Sequence, residues 1–260
     1  MSAVAVAEPG TPTVLGRAAA AEWLRLRTVR TTWWCLLAAA VTIVGIGVIA
    51  AADEAEGPVG PGNLVVPSTF AGEYGVMLGQ FALLVLALLA VTQEYASGSI
   101  GPTLQWTPRR GVLLAARVVV PAGVATAVGV LLALVADVLA LLADPGLVLR
   151  FADLADSLPR IAAVLFAGSV LAAGVGLFLR STAGALATVF LLQLVLPFLL
   201  PAFGVGWMAD LGELLPGSGA IWTLLGEPEM TAAQATALLV GWSGVALLAG
   251  GRSLLRRDAG

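Results

Sequence analysis

Apolar residues fall into six long runs along this chain, and the polar residues gather between them. The runs cover about 32–52, 74–92, 113–136, 161–179, 183–205 and 232–250. A helix needs about 20 apolar residues to cross the hydrocarbon core of a bilayer. Because the runs are apolar on every side, no helical period is visible in them. Length and flanking charge decide the assignment instead. The expected fold class is an all-α integral membrane protein with six transmembrane helices.

The polar segments add detail. Residues 1–13, with Pro9 and Pro12, read as a disordered cytoplasmic tail ahead of a six-span membrane domain over 14–260. In 14–31, Leu15, Ala19, Trp23, Leu26 and Val29 share one helical face. Arg17, Arg25 and Arg27 point away from it, while Glu22 and Arg30 interrupt the pattern. An N-terminal interfacial helix is expected here, with its Arg residues near anionic head groups. The alternative is a plain basic flank. Residues 206–231 are too long for a structureless connection. They carry Trp207, Met208, Leu211, Leu214, Leu215, Ile221 and Trp222, with a turn signal in "LLPGSG". Two short outer helices are expected before the last span.

Composition fits a membrane protein and excludes several chemistries. The chain is 59% hydrophobic and 11% charged, against about 25% charged in soluble domains. All 13 basic residues are Arg, and there is neither Lys nor His. Without His, no Ser-His-Asp or Cys-His centre can be built. Without Lys, no P-loop of the GxxxxGK[ST] type exists. A single cysteine, Cys35, gives neither an internal disulfide nor a zinc set, and it reads as a packing residue. No catalytic residue, metal or cofactor is expected in this chain, and no nucleic acid as partner. No cleavable signal peptide is expected either, since the first 31 residues lack an apolar core.

Charge placement sets the expected orientation. Eleven of the Arg residues fall before span one, between spans two and three, between four and five, or after six. Only Arg150 and Arg160 fall on the other side, where most of the acids lie. The positive-inside rule then puts both termini in the cytoplasm of a plasma (inner) membrane protein.

One polar island remains, "QEYASGSIGPTLQWTPRRG" at 93–111. Glu94 would sit at the negative end of the second span's helix, which disfavours an anion by about 0.3–1 kcal/mol. It therefore needs a partner, with Arg109, Arg110, Arg117, a helix N-terminus or a second subunit as candidates. Small residues follow, then Pro102 at a plausible helix start, and a short helix over about 102–107 is expected.

This island resembles the cytoplasmic loop between the second and third spans of type-2 ABC exporter permeases. The matching residues are Glu94 and Tyr95, the turn Ser97–Ile100, the 102–107 helix, Pro108–Arg110 and Arg117. The opening "AEWLRLRTVRTTWW" and the "LLPGSG" at 214–219 are also similar to that family. The family usually offers Lys as well as Arg in this loop, which this chain does not. The resemblance implies a coupling loop that docks on a separate cytoplasmic ABC ATPase subunit, with Glu94, Tyr95, Ser97, Gly98, Arg109 and Arg110 as its residues. It implies ATP and Mg bound by that partner, and a second permease subunit, either identical or a paralogue. It implies efflux by alternating access. Spans two and five would line the path, with Gln80 and Gln193 on it; helix–helix hydrogen bonding is the alternative for both.

Two rival functions stay open: a secondary, ion-coupled transporter, and a non-transporting membrane scaffold or immunity protein. Asp137 is the candidate coupling group for the first. About 20 residues past Arg117, however, it is expected near the outer boundary of its span. The strict GxxxG at Gly75–Gly79 carries no weight among 31 glycines.

Overall fold

The computed structural model describes residues 10–56, 66–97, 110–226 and 230–257. All regular structure among them is helical. The helices are α1 (Thr11–Thr28), α2 (Arg30–Glu56), α3 (Thr69–Ser97), α4 (Arg110–Ala143) and α5 (Phe151–Leu179). They continue with α6 (Thr182–Phe190), α7 (Leu196–Ala202), α8 (Gly206–Glu213), α9 (Pro216–Leu225) and α10 (Ala232–Arg257). A single π-turn, Leu191–Val195, joins α6 to α7. One isolated bridge between Pro67 and Val148 ties the chain before α3 to the chain before α5.

Six of these segments are long and apolar enough to cross a membrane: Arg30–Ala55, Thr69–Gln93, Gly111–Ala143, Phe151–Leu179, Thr182–Ala202 and Ala232–Ser253. They correspond one for one to the six runs in the sequence. Two start well before their runs, because charged residues occupy the first turns. α3 takes in Glu73, and α5 takes in Asp153, Asp156 and Arg160. Asp153 lies in the first turn of α5, where the helix dipole favours an acid.

The bundle has two central helices. In α3 and α5, 72% and 67% of the most apolar window is buried within the protein, against a third or less in the other four. Those four turn apolar side chains outward: Ile49 is 71% exposed and Leu142 75% exposed. Lipid can cover such faces, and water cannot without cost.

Small residues let the backbones close up, as in other membrane bundles. A Cβ on Gly75 would stand 2.2 Å from the carbonyl oxygen of Ile43, and one on Gly47 would stand 2.3 Å from that of Ala71. The GxxxG at Gly75–Gly79 is therefore the seam between α2 and α3, although its frequency in the sequence gives it no standing. A second seam joins α5 and α10, where a Cβ on Gly250 would lie 2.5 Å from the Gly174 carbonyl oxygen.

The first helix departs from its expected outline. It begins at Thr11, with Pro12 in its first turn, so 11–13 are helical. Its buried positions are Glu22 and Leu26, while Leu15 and Trp23 are exposed. The residue that seemed to interrupt the pattern is the centre of the inward face. Leu26 packs with Leu86 and Ala90 of α3. Arg27 stands over the Trp23 ring, 5.9 Å from its centre.

Candidate functional site

Among the described residues, the buried charged and amide side chains fall into three groups. The first lies in the middle of the bundle. Gln80 of α3 and Gln193 of the π-turn are 2% and 3% exposed. Both reach Gly168 of α5: a Cβ there would stand 3.2 Å from Gln193 Nε2 and 3.6 Å from Gln80 Oε1. The two residues expected on a path are thus brought to one point. The Gln80 amide nitrogen donates to the Met77 carbonyl at 3.1 Å. Among the described residues, Gln80 Oε1 and both polar atoms of Gln193 have no hydrogen-bond partner.

The sequence dictates the π-turn beside them. Pro197 has no N–H to give to the Gln193 carbonyl four residues back, and its ring crowds that oxygen. The helix widens by one residue, and the Leu196 N–H donates to the Leu191 carbonyl, five residues back. Such π-turns are frequent where helices carry function. Leu84 packs against Gly168 and also lines an apolar cavity of about 320 Å³ between α3 and α6. Phe81, Leu88, Leu186 and Phe190 complete much of its wall.

The second group lies at the end of the bundle where α2 begins and α10 ends. Glu22 of α1 is 6% exposed and Arg117 of α4 is 1% exposed. The Glu22 carboxylate pairs with Arg25 at 2.6 Å and with Arg117 at 3.5 Å. Arg25 in turn donates to the Ala90 carbonyl of α3. Nearby, Gln93 donates to the Thr31 hydroxyl at 3.2 Å. Of the residues expected to dock a partner, the backbones of Glu94, Tyr95 and Ser97 close α3, and Arg110 opens α4. Their side chains, all of Gly98 and Arg109, and the expected helix over 102–107 lie outside the described residues. Arg117, a candidate partner for Glu94, faces Glu22 at 3.5 Å; the Glu94 side chain is outside the described residues.

The third group lies at the opposite end. Glu73 of α3 is 8% exposed and pairs with Arg160 of α5 at 2.8 Å. Arg160 also meets Asp156 at 2.9 Å and donates to the Thr223 carbonyl of α9 at 3.4 Å. Asp137 is fully buried six residues before the end of α4, rather than at a wet boundary. Its Oδ1 accepts the Gly72 N–H at 2.7 Å, in the first turn of α3. It acts as a cap supplied by another helix, placed where the dipole favours a carboxylate.

Reading spans by apolar length passed over Glu73 and did not foresee the pairings of Arg160, Glu22 and Arg117. The start signal Pro67–Ser68 could have moved the beginning of α3 ahead of Glu73. Nothing local in the sequence pairs Glu22 with Arg117, which are far apart along the chain. Among the described residues, no group of three or more His, Cys, Asp or Glu could hold a metal.

No family model matches the chain, and no curated protein matches it. By the length and composition of its six candidate spans, it is a multi-pass membrane protein.

Proposed function

We propose that the chain is the membrane-spanning permease subunit of an ATP-driven exporter. It would work with a second permease and with cytoplasmic ATPases that bind ATP and Mg. The island at 93–111 is its docking loop. In this reading the end of the bundle where α2 begins and α10 ends is cytoplasmic, as the Arg distribution supports. α1 lies along that membrane surface with Trp23 and Leu24 toward the lipid, and α8 and α9 lie at the outer face.

The observation that carries the reading is the framing of the island. The helices on either side of it, α3 and α4, are both held by α1, through Arg25 on Ala90 and Glu22 on Arg117. A connection that only returned the chain to the membrane would need no such charged frame inside the protein. The buried Gln80–Gln193 pair supplies polar groups in an otherwise apolar core, and an alternating path could expose them.

Affinity purification from mild detergent tests this. A stoichiometric P-loop ATPase should accompany the tagged protein. It should be lost when 95–107 are replaced by Gly and Ser. A clean homo-oligomer without an ATPase would overturn the proposal in favour of an ion-coupled transporter or a scaffold.

A further inference from the structure

The geometry points to Glu22 as a positioning residue: its carboxylate clamps both roots of the island to α1, and so fixes how the island is presented. Three observations meet there. One Glu22 oxygen holds Arg25 and the other faces Arg117. Arg25 carries the link on to the Ala90 carbonyl, near the C-terminal end of α3. Arg117 lies in the second turn of α4, just beyond the island, and is 1% exposed. One carboxylate therefore ties the helix before the island and the helix after it to a third helix.

Other contacts at this end do less. The Gln93–Thr31 hydrogen bond joins α3 to α2. The Thr182–Thr92 hydrogen bond, 3.0 Å, joins α6 to α3. Neither reaches α4. Leu26 packs α1 against Leu86 and Ala90 of α3, beside Val120 and Val124 of α4, without direction, whereas Glu22 draws Arg25 and Arg117 by charge in a poorly solvated site. A buried charge that loses its partner is costly, so α1 and α4 are bound to move together or to separate at a penalty. The role of Glu22 in coupling rests on the permease reading; the clamp itself does not.

The test uses Cys35→Ser, which removes the single cysteine, with spin labels at Ala20→Cys and Ala115→Cys. Both positions are exposed, on α1 and α4. Distances are measured by pulsed dipolar spectroscopy in lipid nanodiscs. The parent should give one narrow distance. Glu22→Gln should broaden or lengthen it, and the exchange Glu22→Arg with Arg117→Glu should restore it, because two cations again surround one acid. A parent-like distance in Glu22→Gln would overturn the clamp, with packing and the Arg25–Ala90 hydrogen bond holding α1 without the carboxylate. Failure of the exchange to restore a narrow distance would do the same.

The same variants separate the clamp from its use. Loss of the co-purifying ATPase in Glu22→Gln, with recovery in the exchange, supports a role in coupling. Full retention of the ATPase with a broadened distance overturns that role and leaves the clamp standing. If no ATPase accompanies the parent, the permease reading fails and the distances alone judge the clamp.

Discussion

Gly217 stands so close to Gln193 that a Cβ on it would lie 2.2 Å from the Gln193 carbonyl oxygen. Pro197 withholds the hydrogen bond that this oxygen would receive in an α-helix, and the first turn of α9 moves in beside it. Four residues of the motif "LLPGSG" thereby gain a structural role. Leu215 is the extended N-cap, Pro216 opens the helix, and Gly217 seats it on the π-turn. The Ser218 hydroxyl donates to the Gly212 carbonyl at 2.7 Å.

Gly217→Ala should therefore push α9 off the π-turn. The obstacle is backbone, which cannot step aside as a side chain can, so a cost of about 1–3 kcal/mol is expected. Gly241→Ala in α10, where a Cβ meets nothing within 4 Å, is the control and should be near neutral. Thermal unfolding in detergent compares the two.

The α2–α3 seam gives a second contrast of the same kind. Gly75→Ala meets the Ile43 carbonyl and Gly79→Ala meets the Ile43 backbone nitrogen at 2.8 Å. Each should destabilise by about 1–3 kcal/mol. Gly45→Ala, in the same helix as Ile43 but facing open space, should not. Equal unfolding temperatures for all three would deny that the seam depends on close backbone approach.

These glycines show where the sequence was legible and where it was not. Six spans follow from apolar length alone, because a bilayer demands about 20 such residues whatever the helix neighbours are. Gly75 and Gly45 look alike in sequence, and only the neighbour across the gap distinguishes them. The same holds for Glu22. Its spacing breaks an apolar face, and its reason for doing so is an Arg that the chain supplies 95 residues later. Glu73 and Arg160 hid inside helices that begin earlier than their apolar runs. Gln80 and Gln193 were legible as polar residues in apolar spans, but their meeting at Gly168 needed the packing of three helices.

Arg160 links α3, α5 and α9, so removing it should loosen that end of the bundle. Arg160→Leu leaves Glu73 buried without its cation. Breaking a fully buried pair costs about 3–5 kcal/mol. The Arg160 side chain is 37% exposed, so a smaller loss of about 1–3 kcal/mol is expected. Glu73→Gln combined with Arg160→Leu should be more stable than Arg160→Leu alone. If the double variant is the worse of the two, the pair is not what holds these helices.

Asp137 separates two functions. As a cap for α3 it needs only an acceptor near the Gly72 N–H. Asp137→Asn keeps that acceptor and should retain stability and transport. Asp137→Ala loses it, at about 1 kcal/mol. An ion-coupled transporter would behave differently, because Asn cannot carry a proton or pair with a cation. Loss of transport in a stably folded Asp137→Asn protein would favour the secondary transporter over the ATP-driven exporter.

The Gln80–Gln193 pair should separate stability from function in the opposite way. A buried amide without partners is a burden on the fold, and an apolar group of similar size is often neutral or better in its place. Gln193→Leu should thus leave the unfolding temperature unchanged or raise it. On the permease reading, the same change should lower transport and substrate-stimulated ATPase activity, since the polar atoms that an open path would present are gone. Gln80→Leu should act alike, though more mildly in stability, because it gives up the bond to the Met77 carbonyl. A destabilised Gln193→Leu would mean the amide is partnered in the membrane and structural. A stable variant with unchanged transport would take both residues off the path. The combination of a firmer protein and weaker transport is what a buried polar pair kept for use, at a cost to the fold, should produce.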